Sequence, residues 1–66
     1  MSMNTLDIQT LIELNKLLLE IEEDLSLLYL MYAENPSLEL KAKFETEHIK
    51  SCVLNNLRSN LINKYK

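Results

Sequence analysis

The feature that most constrains this chain is a single break in a sequence otherwise suited to helix. The 66 residues include no Gly and one Pro, and helix-favouring Leu, Glu and Lys dominate both sides of Asn35-Pro36-Ser37. Pro36 disfavours the α conformation at Asn35, whereas Asn is a good N-cap and Pro suits the first helical position. The sequence therefore predicts one helical-hairpin domain over residues 1–66, with helices near 4–34 and 36–65 and a turn at 35–37.

The first predicted helix has apolar residues at alternating intervals of three and four, which is heptad spacing. We expect Asn4 to cap it, with Asp7 in its first turn. The positions of this seam are Leu11, Leu14, Leu18, Ile21, Leu25, Leu28 and Tyr32. Seven unbroken positions predict that this face packs against the second helix.

The second predicted helix has a less regular apolar stripe. Its members are Leu38, Ala42, Ile49, Val53, Leu57 and Leu61, with Glu45 interrupting them. Because the turn is short, the helices must run antiparallel, and the two stripes stay in step along their length. This register places Leu18 against Val53, Leu14 against Leu57, and Asp7 near Lys64. The expected fold class is all-α, an antiparallel two-helix hairpin resembling a coiled coil.

Further apolar residues of the first helix lie away from the seam. At 100° per residue, four of them fall within about 40° of one another and about 150° from the centre of the seam. These four are Ile8, Ile12, Leu19 and Leu30, which we call the outer stripe; Leu27 lies between the two faces. A chain this short seldom builds a sufficient core alone, so we interpret the outer stripe and Leu27 as a binding surface for a helical partner or a second copy.

No motif in the sequence indicates a reaction, a cofactor or a metal site. The single Cys52 cannot form an intramolecular disulfide, and it stands four residues after the only His, His48. A solvent-exposed His and a bystander thiol are the simpler interpretation of this pair. We therefore expect no catalytic residue, and the free thiol together with the absence of a signal peptide favours a cytoplasmic protein.

The charge is divided between the two halves. Residues 1–35 contain seven acidic residues and Lys16, whereas residues 36–66 contain six basic residues and three glutamates. Opposite charges suit halves that pack side by side, and basic residues spread around a helix make a poor phosphate-binding track. The longest uncharged apolar run is far shorter than a membrane span requires. We expect neither nucleic-acid binding nor a membrane span.

The predicted architecture resembles the needle co-chaperone family of type III secretion. The resemblance covers the long first helix, the turn at Asn35-Pro36-Ser37, the aromatic Phe44 about two turns into the second helix, and the long second helix. It implies a non-enzymatic protein that pairs with a second, helical-repeat chaperone to keep the needle subunit soluble in the cytosol. No short motif accompanies it, so it implies no individual contact residue.

The helices also look like those of the small phosphatases that act on sporulation response regulators. The similar segments are residues 17–23 and 61–65. The catalytic segment of that family is missing, because residues 55–60 contain no acidic residue. We retain the analogy of fold and expect no enzymatic activity. The alternative function to a co-chaperone is a homodimeric regulatory inhibitor or antirepressor that forms a four-helix bundle.

Overall fold

Two long helices form an antiparallel hairpin in the computed structural model, which describes residues 2–66. Helix α1 spans Thr5–Glu34 and helix α2 spans Leu38–Asn63. The molecule measures 50 × 15 × 14 Å, the shape of two helices side by side. The predicted fold class, an all-α hairpin, is confirmed.

Side-chain caps fix where both helices begin. The Asn4 side chain accepts a hydrogen bond from the Asp7 amide at 2.8 Å, as expected from the sequence. Helix α2 begins at Leu38 rather than Pro36, because Ser37 is its N-cap and accepts from the Leu40 amide at 3.1 Å. Asn35 instead ends α1, with its amide donating to the Met31 carbonyl. The prediction that α2 starts at Pro36 is therefore wrong by two residues.

The buried core is small and lies on the predicted seam of α1. Leu14, Leu18 and Ile21 are 8%, 4% and 8% exposed, and no other described residue is as deeply buried. Leu11, Leu25 and Leu28 extend the same face and are half-buried. The seam prediction is confirmed in the middle of α1. Burial decreases toward the end of the helix, where Tyr32 is 39% exposed.

Polar contacts between the helices establish their register. The Lys64 ammonium lies 3.1 Å from the Asp7 carboxylate, and the Tyr65 hydroxyl donates to the same carboxylate. Nearer the middle, the Arg58 guanidinium donates to the Asn15 side-chain oxygen at 3.2 Å. The predicted proximity of Asp7 and Lys64 is confirmed. These contacts place Leu18 level with Leu54 and Leu14 level with Arg58.

Helix α2 packs with a different face from the one predicted. Most of the predicted stripe is exposed: Leu38, Ile49, Val53 and Leu57 are 85%, 62%, 53% and 50% exposed. The predicted pairs of Leu18 with Val53 and of Leu14 with Leu57 lie at nearly the same height along the hairpin. They are nevertheless wrong, because Val53 and Leu57 lie on an exposed face of α2. The half-buried residues of α2 repeat at heptad spacing instead. They include Leu40, Phe44, Glu47, Ser51, Leu54, Arg58 and Leu61. Leu61 is the one residue that the predicted stripe and this packed face share.

We predict that Leu18→Ala destabilises the hairpin severely. Removing a buried Leu side chain costs about 2–5 kcal/mol, a large part of the stability of a small domain. The matched control is Leu19→Ala, which removes the same atoms from a side chain that is 58% exposed and should change the free energy of unfolding by less than about 0.5 kcal/mol. Urea unfolding followed by circular dichroism measures both variants, and equal effects would contradict the seam.

Candidate partner-binding surface

The outer stripe of α1 is solvent-exposed along its whole length. Ile8, Ile12, Leu19 and Leu30 are 44%, 48%, 58% and 61% exposed. Tyr29 beside Leu30 is 64% exposed, although the sequence analysis did not include it in the surface. The predicted surface residues thus lie free of the hairpin core, which is the condition that a partner-binding role requires.

The structure separates Leu27 from the rest of the predicted site. Leu27 is 58% exposed and lines a groove between the helices together with Ala42. Leu30 lines a groove on the other side of the hairpin together with Tyr29 and Phe44. The five predicted residues therefore belong to two surfaces, and Leu27 does not continue the outer stripe.

The surface that Leu27 joins spans both helices. Two adjoining grooves share Asp24 and Glu47 and run along one side of the hairpin. We call this side the groove face and define it by its main lining residues. They are Leu17, Glu20, Asp24 and Leu27 from α1 and Glu39, Ala42, Lys43, Glu47, Ile49, Lys50 and Val53 from α2.

The groove face combines exposed apolar side chains with unpaired acidic residues on α1 and lysine–glutamate pairs on α2. Leu17, Ile49 and Val53 are 44%, 62% and 53% exposed. The α1 side carries Glu20 and Asp24, neither of which forms an ion pair among the described residues. The α2 side carries two lysines together with Glu39 and Glu47, which line the same grooves.

Both lysines of the groove face are held by glutamates of the same helix. Lys50 lies 2.9 Å from Glu47, and Lys43 lies 3.5 Å from Glu39. An ammonium group has three donors, so each lysine can keep its glutamate and still bind a second carboxylate. The lysines are 57% and 61% exposed in their side chains and are accessible to a partner.

The chain exposes more surface than a compact protein of its size. Its accessible surface is 5254 Å², whereas a compact monomer of 7.7 kDa exposes about 4,300 Å² by the usual scaling of area with mass. The difference is about 900 Å² per chain, close to what each partner contributes to a stable interface of standard size.

Cys52 and His48, which are four residues apart in the sequence, make one long side-chain contact. The sulfur lies 3.8 Å from the His48 ring nitrogen Nε2, and Cys52 is exposed. The His48 ring stacks on Phe44 with centroids 6.4 Å apart and planes inclined by 6°. Among residues 2–66 no three His, Cys, Asp or Glu side chains cluster as a metal site.

Comparison with protein-family models, with curated proteins and with solved structures found no match to this chain. Neither helix, over the residues that the structure describes, contains an apolar stretch long enough to cross a membrane. The surfaces above are therefore interpreted from their own geometry and chemistry.

Among the described residues, the groups with shifted pKa values lie at the open end of the hairpin. Hydrogen bonds from the Tyr65 hydroxyl and the Lys64 ammonium lower the pKa of Asp7 below its ordinary value of 3.8. The same contact raises the pKa of Lys64 and that of Tyr65. Because these groups join the first turn of α1 to the residues after α2, the contact closes the hairpin and does not indicate a catalytic site.

We predict that Asp7 makes the hairpin sensitive to acid. A carboxyl whose pKa is lower in the folded state adds stability at neutral pH, and that stability is lost as the pH falls through the lowered pKa. Asp7→Asn should melt at a lower temperature than the wild type at pH 7 and should lose less on acidification from about pH 4 to about pH 2.

The matched control for Asp7 is Glu13→Gln. Glu13 is an exposed acid whose partner, Lys16, lies 3.6 Å away on the same helix, so this change should hardly alter the acid sensitivity of the hairpin. Thermal melts at several pH values measure all three proteins. An Asp7→Asn melting curve that parallels the wild type through the acid range would contradict the assignment.

Proposed function

We propose that this protein is a non-enzymatic binding module that presents the outer stripe of α1 to a helical protein partner. The observation that carries the proposal is the exposure of Ile8, Ile12, Leu19 and Leu30 on a helix whose opposite face already makes the hairpin. Exposed apolar stripes of this kind mark association sites.

Burial of the outer stripe supplies the driving force. Each of its four side chains contributes about 1.5–3 kcal/mol when fully buried, and association costs subtract from the gross gain of several kcal/mol. The spacing of the stripe along α1 suits a partner helix laid lengthwise, as in helix-in-groove recognition. Tyr29 adds a large amphipathic side chain of the type that anchors such interfaces.

The resemblance to the needle co-chaperones gives the proposal its most specific form. In that form the partner is a second, helical-repeat chaperone, and the complex keeps an aggregation-prone secretion subunit soluble in the cytoplasm. The hairpin architecture supports this reading through its shape alone. The alternative is a homodimeric regulatory inhibitor or antirepressor, in which the outer stripe meets a second copy.

We predict that Ile12→Glu combined with Leu19→Glu abolishes partner binding and leaves the hairpin folded. Both residues are about half exposed, and Glu is a good helix former, so the free variant should keep its helicity. In the complex each new carboxylate meets an apolar surface, and an unpaired buried charge costs several kcal/mol.

The measurement uses the tagged chain co-expressed with the proteins encoded beside it, with the complex weighed by light scattering after size exclusion. The matched control is Glu13→Gln, which alters an exposed residue of α1 that lies outside the outer stripe and lines neither groove of the groove face. A double variant that still forms the complex at wild-type affinity would overturn the proposal. A variant that loses self-association in place of partner binding would establish the homodimeric alternative.

A further inference from the structure

We infer that the groove face is a homodimer interface, on which a second copy of this chain packs to make a four-helix bundle. The groove face and the outer stripe are different surfaces, because Leu17 and Leu19 point about 160° apart around α1. This inference therefore goes beyond the proposed function, and either can fail without the other.

The composition of the groove face favours a helical partner that covers both helices at once. Its apolar residues come from α1 and α2 in similar number, with Leu17 and Leu27 on one side and Ile49 and Val53 on the other. Leu57, one turn beyond Val53, is also half exposed. A single partner helix laid on α1 would leave the apolar residues of α2 in water, whereas a second hairpin covers both.

The surface that the whole chain exposes in excess is large enough to supply the interface of such a dimer. The chain exposes about 900 Å² more than a compact monomer of its mass, and each partner of a standard interface buries about 800 Å². The buried core of one hairpin consists of Leu14, Leu18 and Ile21. Packing two groove faces together adds a second apolar layer beside those residues, as four-helix bundles do.

The charges select one symmetry for the dimer. Two identical faces can meet around a two-fold axis that runs parallel to the helices or across them. An axis across the helices places α1 on the partner's α1, so that Glu20 and Asp24 face the same carboxylates of the other copy when the axis crosses at their level. An axis parallel to the helices places α1 on the partner's α2, where Lys43 and Lys50 each lie beside a glutamate of their own helix. The second arrangement sets the two carboxylates against ion pairs without net charge, whose lysines can each bind a further carboxylate, and avoids the repulsion of the first.

The register of the hairpin then identifies the contacts. The contacts of Asp7 with Lys64 and of Asn15 with Arg58 set the register of the two helices. In this register Lys50 lies at a height along the hairpin between those of Glu20 and Asp24. A two-fold axis parallel to the helices preserves these levels between copies. Glu20 and Asp24 therefore flank the partner's Lys50, and Leu17 lies between the partner's Val53 and the partner's Leu57.

The experiment measures the molar mass of the purified full chain by sedimentation equilibrium over a range of concentrations. The wild type should sediment at twice its 7.7 kDa mass at micromolar concentrations. Leu17→Glu and, separately, Val53→Glu should raise the dissociation constant about a hundredfold or more, because each change enters the symmetric interface twice. Circular dichroism checks that each variant stays helical.

Matched controls are Leu19→Glu and Cys52→Glu, which place the same charge one or two residues away on other faces of the same helices. Both should dimerise like the wild type. A wild-type chain that is monomeric throughout would overturn the inference, as would a dimer that ignores both Leu17→Glu and Val53→Glu. A dimer broken by Leu19→Glu alone would move the interface to the outer stripe and overturn it as well.

Charge reversal tests the symmetry. Asp24→Lys and Lys50→Glu should each weaken the dimer about tenfold, and an equimolar mixture of the two variants should recover wild-type affinity, because both contacts of the mixed dimer pair opposite charges. With α1 on the partner's α1, Asp24→Lys would relieve repulsion and strengthen the dimer. That result would contradict the proposed axis.

Discussion

The contact between the Leu seam of α1 and the half-buried face of α2 supports everything else in this molecule. Leu14, Leu18 and Ile21 are its buried centre, and no disulfide or described metal cluster adds to them. A domain of this length has little apolar burial to offset the conformational entropy of two long helices. Stability therefore depends on a few side chains and on whatever covers the rest.

The two helices contribute unequally to that contact. Helix α1 presents an unbroken apolar seam, whereas the packed face of α2 includes Glu47, Ser51 and Arg58. Long polar side chains tolerate such positions because their stems pack while their charged ends reach solvent or a partner. Glu47 pairs with Lys50, and Arg58 bonds to Asn15. As a result, a more apolar stripe of α2, from Leu38 to Leu57, faces outward.

This inequality explains what the sequence could and could not predict. The break at Asn35-Pro36-Ser37, the Asn4 cap, the seam of α1 and the approach of Asp7 to Lys64 all follow from local rules, and the structure confirms them. The packed face of α2 does not, because its apolar residues form two competing stripes and the richer one faces solvent. The Ser37 cap starts α2 at Leu38, and the seam turns Leu40, Phe44 and Leu54 inward. The richer stripe is visible in the sequence, but its outward direction follows only from the packing of the other face.

Association through the groove face, as inferred above, would stabilise a hairpin whose own core is small. The most direct measurement is the melting temperature as a function of chain concentration, followed by circular dichroism. Because dissociation accompanies unfolding of such a dimer, mass action requires the melting temperature to rise steadily with concentration. The account predicts this rise for the wild type and its loss in Leu17→Glu. A wild-type melting temperature that stays constant across the range would contradict it.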